Sequence, residues 1–127
     1  MRDLHDNLGV VNAIAPQVQT GTLTSAAVDL TSFDAAMIVV NAGAIVTSGS
    51  VTPSLTECAT SGGTYTAVAA GDILGTVPAV LAANTTYKFS YIGTKPFIKV
   101  VLTFNSGTSV AVAANVIEGR PARHPVP

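Results

Sequence analysis

Between Tyr87 and Phe104 the chain reads YKFSYIGTKPFIKVVLTF. Apolar and polar residues alternate in twos, break at Gly-Thr-Lys-Pro, and alternate again. That period places Tyr87, Phe89 and Tyr91 on one face of a strand, with Lys88 and Ser90 on the other. It likewise puts Ile98, Val100, Leu102 and Phe104 opposite Phe97, Lys99, Val101 and Thr103. Glycine admits unusual dihedrals and proline cannot donate a ladder hydrogen bond, so residues 93–96 form a turn. The segment is expected to be an antiparallel hairpin with its aromatics toward the core. Lys88 and Lys99 then face away from that core on neighbouring strands and, with Lys95, make the chain's one basic concentration.

The same period recurs elsewhere. SVAVAANVIE at 109–118 sets Val110, Val112, Ala114 and Val116 in register. AMIVVNA at 36–42 is almost continuously apolar, as expected for a central strand buried on both faces. SVTPSLTE at 50–57 alternates, but Pro53 argues for an edge, where it could add strand-to-strand contacts to a partner. SGGTYTAV at 61–68 reads as a glycine turn and a short strand, TLTSAAVDL at 22–30 as one or two strands, and Asn105-Ser106-Gly107 as a turn. Gly71, Gly75 and Pro78 interrupt any helix over 66–83, which leaves a loop plus a short strand. Seven to nine short strands with regular turn signals predict a single all-β domain over 1–127: an antiparallel β-sandwich, jelly-roll-like, with extended N- and C-terminal arms. Residues 1–9 and 119–127 are the arms.

Chemistry is thinly represented. His5 and His124 stand at opposite ends and Cys58 is alone, so no metal spacing occurs. No Gly-x-Ser-x-Gly or phosphate loop is present, and Glu57, Asp72 and Glu118 carry no pairing signal. Asp29 and Asp34 read as turn or cap residues. The expectation is a protein that is not an enzyme and needs no cofactor. Six basic residues against seven acidic ones leave no footprint for nucleic acid. No apolar run is long enough for a membrane helix, and MRDLHDNLG does not resemble a secretion signal. Only 10% of residues are charged while 48% are hydrophobic. Such a chain has little charge to oppose association.

The last nine residues, GRPARHPVP, hold three prolines, two arginines and a histidine. Proline biases this segment toward an extended ribbon, which lowers the entropy lost on docking. Arg120 and Arg123 suit bidentate contacts with carboxylates. The candidate partner-binding residues are therefore Arg2, Leu4, Arg120, Pro121, Arg123, His124 and Pro125.

AIAPQVQTGTLTSAAVDLTSFDAAMIVVNAG, SGGTYTAV, YIGTKPFIKVVLTF and VIEGRPARHPVP, in that order, resemble the capsid decoration (cement) proteins of tailed bacteriophages. The matching positions are Gly63 to Val68, Tyr91 to Lys99 and Gly119 to Pro127. The resemblance implies a virion protein made in the host cytoplasm and placed on the outer capsid surface. It would bridge major capsid protein subunits and associate with itself as a dimer or trimer. A tail, tail-tube or head–tail joining protein is the alternative. A carbohydrate-binding module is a third reading, against which stand the absence of Trp and a count of three Tyr.

Overall fold

The computed structural model describes residues 5, 8–31 and 33–121. Their strands are β1 (Gly9–Gln19), β2 (Leu23–Thr24), β3 (Val28–Asp29), β4 (Phe33–Val46), β5 (Ser50–Cys58), β6 (Thr66–Ala67), β7 (Ile73–Leu74), β8 (Thr85–Tyr91), β9 (Phe97–Ser106) and β10 (Ser109–Pro121). One antiparallel sheet, sheet A, has the order β1-β10-β4-β8-β7; the other, sheet B, runs β2-β9-β5-β6, with β3 also on β9. Of the consecutive connections, only β2–β3, β5–β6 and β7–β8 stay within a sheet; every other one crosses between sheets. First and last strands pair, and each sheet interleaves early strands with late ones. This is jelly-roll connectivity, as the strand periodicity and turn spacing led us to expect.

The two-residue period explains the core. Val110, Val112, Ala114 and Val116 of β10 face inward beside Ala36, Ile38, Val40 and Ala42 of β4 and Phe89 and Tyr91 of β8. Val51 and Leu55 of β5 meet them from sheet B with Ile98, Val100 and Leu102 of β9.

Three expectations need correction. First, β8 and β9 are not a hairpin: β8 pairs with β4 and β7, and β9 with β5, β2 and β3. Residues 92–96 instead carry the chain across the sandwich. A hairpin and such an arch bury the same alternate residues, so alternation could not separate them. Lys88 and Lys99 consequently lie in different sheets and make no basic cluster. Second, β1 extends from Gly9 through a stretch where no strand was expected. Its pairing shifts between Ile14 and Gln17, where Pro16 can donate no hydrogen bond.

Third, the margin of β5 at Pro53 is not open to a partner. Val68 N–H donates to Leu55 O (3.1 Å), Leu81 N–H to Val51 O (3.0 Å) and Thr52 Oγ1 to Ala79 O (2.7 Å). With a period of two, the nitrogen of Pro53 points to this same side, so its missing N–H removes nothing from the ladder with β9. The segment after β6 lies along this margin and blunts it. It contains the 3-10 turn Ala70–Asp72 and the two-residue β7.

Candidate interaction surface

The outer face of sheet A follows from the register. Val10, Ile117, Met37, Ser90 and Leu74 form one row across β1, β10, β4, β8 and β7. Asn12, Asn115, Val39 and Lys88 form the next, and Ala113, Asn41 and Thr86 a third. Beyond these, Ala111 and Gly43 lie beside Val18 and Pro16 around a depression of about 400 Å³. Val10 is 69% exposed, Leu74 63% and Val18 64%. Among the described residues Lys88 carries the only charge on this face. Met37, Val39 and Ile117 are half-buried, which corrects the reading of 36–42 as buried on both faces. Alternate residues of β4 enter the core, while the others face outward with nothing from the described chain over them.

Sheet B presents a different outer face. Thr24, Thr52, Ser54, Thr56 and Thr103 point outward around Val101, and Lys99 Nζ sits 4.3 Å from the centre of the Tyr65 ring. Hydroxyls and a lysine above an aromatic ring are comfortable in water. Sheet A offers water valines, isoleucine, methionine and leucine. Isolated apolar residues on a surface need no explanation, but a contiguous row of them marks a contact site.

The start of β1 and the end of β10 meet at one end of the sandwich. Gly9 pairs with Glu118, and a Cβ on Gly119 would lie 3.3 Å from Leu8 Cδ2. The pairing of β10 with β4 continues through Gly119 to Pro121, opposite Phe33. Arg120 and Pro121 therefore belong to β10 and not to a free arm. Pro121 can end the strand because a last residue needs no further donor. Arg2, Leu4, Arg123, His124 and Pro125 lie outside the described residues, as does most of each proposed arm. Gly9 likewise belongs to β1.

Three inward groups, Tyr91, Glu57 and Glu118, gather at this end. Tyr91 Oη donates to Glu57 Oε1 in the opposite sheet (3.1 Å) and accepts from Lys95 N–H (3.0 Å). The ring thus ties the 92–96 crossing to both layers. Its phenol is pushed up to about 12, first by burial and then by the nearby Glu57 carboxylate, with the Lys95 N–H acting the other way. Glu118 is 4% exposed and its Oε1 has no hydrogen-bond partner. Burial, helped by the charge on Asp29, raises Glu118 from 4.5 to about 7. Asp29 itself is lowered because its Oδ1 accepts the Thr31 N–H at 2.8 Å, the turn role expected of it.

A carboxyl raised in the fold favours the protonated protein. The contribution of Glu118 to stability is fully present below pH 4.5 and is lost as pH rises toward 7 and beyond. Glu118→Gln is expected to match the parent at pH 4 and exceed it by about 2 kcal/mol at pH 8. Urea unfolding at the two pH values measures this, and equal gains at both would assign the effect to packing instead.

Among the described residues no group of three His, Cys, Asp or Glu side chains could hold a metal. His5 is exposed in a turn, and Cys58 ends β5 half-buried, with Sγ 4.0 Å from Thr60 Oγ1. No helix among the described residues is long and apolar enough to cross a membrane. The sheet A face was missed as a site although its signal was visible. A strand that is almost continuously apolar needs cover on both sides, and the described residues supply cover to one.

No family model matches the chain, and no curated protein matches it. Among solved structures, a chain in "Structure of infectious bursal disease virus Gx strain" overlaps 93% of this chain with 14% identity and a TM-score of 0.49. This chain spans 35% of that one.

Proposed function

We propose that this chain is a structural protein of a virion, a decoration protein that binds the outside of an icosahedral phage head and bridges major capsid protein subunits. The observation that carries the reading is the convergence of the start of β1 and the end of β10, from which the two terminal segments continue, on one end of a rigid sandwich. Tyr91, Glu57 and the β1–β10–β4 pairing brace that end. A stiff body with two extended ends at one corner can reach two neighbouring subunits at once. Many copies of a modest contact then add to the work of pulling a shell apart. The low charge and the shortage of chemical groups agree with a binding role, and the sequence resemblance supplies the particular partner.

The test removes the C-terminal segment without cutting into β10. A chain ending at Pro121 should keep the parent's melting temperature within about 2 °C, since it retains every described strand and the last few residues of a domain usually add little stability. Its affinity for purified phage heads that lack the protein should fall at least tenfold, read by co-sedimentation. Undiminished occupancy at equal concentration would remove the arm from the reading. Copy number by quantitative mass spectrometry of particles separates decoration, with hundreds of copies, from the single ring of a tail or joining protein.

A further inference from the structure

We infer that the outer face of sheet A is a self-association surface, on which a second copy of this chain packs face to face about a two-fold axis. The axis lies in the interface plane and crosses the strands near Val39 and Asn41. The inference names the self-contact surface within the proposed virion role, but it concerns the free protein and is tested without a particle.

Charge is the first argument for a second copy as the occupant. A face on which the described residues place a single charge offers little to attract a strongly charged partner. Lys88 lies on β8, whose outer neighbour β7 pairs only with Ser90 and Tyr91. The lysine is therefore at an open margin, where its long stem can carry the ammonium to water. The other polar groups are Asn12, Asn115, Asn41, Thr86 and Ser90. Amides and hydroxyls both donate and accept, so they can be satisfied by identical groups across a two-fold axis. Asn41 shows this locally, accepting from Thr86 Oγ1 at 2.6 Å while its amide nitrogen keeps two donors.

Shape is the second. On the central strands β10 and β4 bulk is concentrated at Ile117 and Met37, whereas the far end of these two strands carries Gly43, Ala111 and Ala113 around a depression that Val18 and Pro16 border on the β1 side. Rotation about an axis crossing the strands lays the centre of the bulky row of each copy, Met37 and Ile117, on the shallow end of the other, while Val10 meets Val18 at the β1 side. Met37 then sits over Gly43 of the second copy, and Ile117 over Ala111. An axis parallel to the strands would set bulk on bulk and leave two gaps.

Area is the third. Strands β1, β10 and β4 over about 30 Å of length, with the shorter β8 and β7 beside them, give roughly 600 Å² in plan at ~4.8 Å spacing, the order of the ~800 Å² that each partner covers in a stable complex. Two sheet faces packed in this way lie about 10 Å apart, as inside a sandwich.

The experiment measures mass in solution by sedimentation equilibrium on the full chain at about 1–100 μM. The parent is expected to be a dimer at the upper concentrations. Ala113→Lys and Met37→Lys should each weaken the dimer at least tenfold while keeping the parent's thermal melt. Thr103→Lys, on the sheet B face, should leave it unchanged. If the lysine variants melt early, Cys58→Ser chains decide the matter. With Ile117→Cys and Ala111→Cys together, such a chain should be cross-linked between copies by a short bifunctional thiol reagent that spans roughly 10 Å, whereas Ile117→Cys alone should not. A parent that stays monomeric, a trimer mass, a dimer indifferent to Ala113→Lys, or equal cross-linking by the single variant would each overturn the proposal. None of these outcomes bears on head binding by the terminal segments, which is measured separately by occupancy.

Discussion

Phe89→Ala is expected to cost about 3–5 kcal/mol of folding stability, the usual range for a buried phenylalanine reduced to a methyl group. Phe89 is 2% exposed and pairs with Ile38, which is fully buried and flanked on its other side by Val116. The residues available to refill the space are small: Ala36, Ala42 and Ala114 line the same inner surface. They belong to paired strands held on both sides, so the cavity cannot collapse cheaply. A domain of this size has about 5–15 kcal/mol in total. The variant should therefore show a large fall in urea midpoint with an unchanged slope. Phe97→Ala is the matched control. Phe97 is half-buried and faces outward from sheet B opposite Cys58, and its loss should cost under about 1 kcal/mol. Equal losses for the two would contradict the assignment of inward and outward faces.

Those faces were legible before any coordinates. Alternation over 87–104 and 109–118 put the correct residues inward, and glycine and proline marked the breaks at 93–96 and 105–107. What the chain could not reveal was which strand each one meets. A side chain's period records which way it points, and both a hairpin and an arch satisfy it. The two differ in whether five residues turn back to a neighbour about 4.8 Å away or cross a layer about 10 Å thick. Nothing in IGTKP states that distance. Tyr91 settles it through contacts with Glu57 and the Lys95 backbone that span 34 and 4 residues.

β1 was hidden for a related reason. Its half exposed on an edge reads NAIAPQVQ, with small and polar residues where a central strand would carry branched ones. Only its pairing with β10 makes it a strand. The interaction face was legible in another sense. Residues 36–42 showed a strand apolar on both sides, and the described residues leave one of those sides uncovered. The arms remain a matter of sequence: Arg120 and Pro121 proved to be strand residues, so the argument for a ribbon starts at Ala122.

Gly107→Ala is the substitution expected to do most damage outside the core, at about 3 kcal/mol and roughly 10 °C of melting temperature. Two effects act together. Gly107 has φ of +90°, where a Cβ meets its own backbone at a cost of about 1–2 kcal/mol. A Cβ there would also fall on the Cα and N of Gly49. Gly49 is equally confined, since its own Cβ would strike Ser109 O and come within 2.7 Å of Val110 Cγ2. The reason is the fold's connectivity. The β4–β5 and β9–β10 connections both cross the sandwich at the end opposite the Gly9–Glu118 pair, and they lie backbone to backbone. Gly49 N–H and Thr108 N–H share Val46 O at 3.2 and 3.3 Å. Neither turn can move aside without opening both β4–β10 and β5–β9, the central pairings of the two sheets. The turn at 105–107 was visible as Asn-Ser-Gly, but the need for glycine comes from a neighbour 58 positions earlier in the chain. Gly62→Ala serves as the control, because nothing lies within 4 Å of a Cβ at that position, and it should change stability by no more than about 0.5 kcal/mol. A thermal melt of Gly107→Ala within 2 °C of the parent would mean that the two crossings do not abut, and the jelly-roll connectivity would lose its tightest contact.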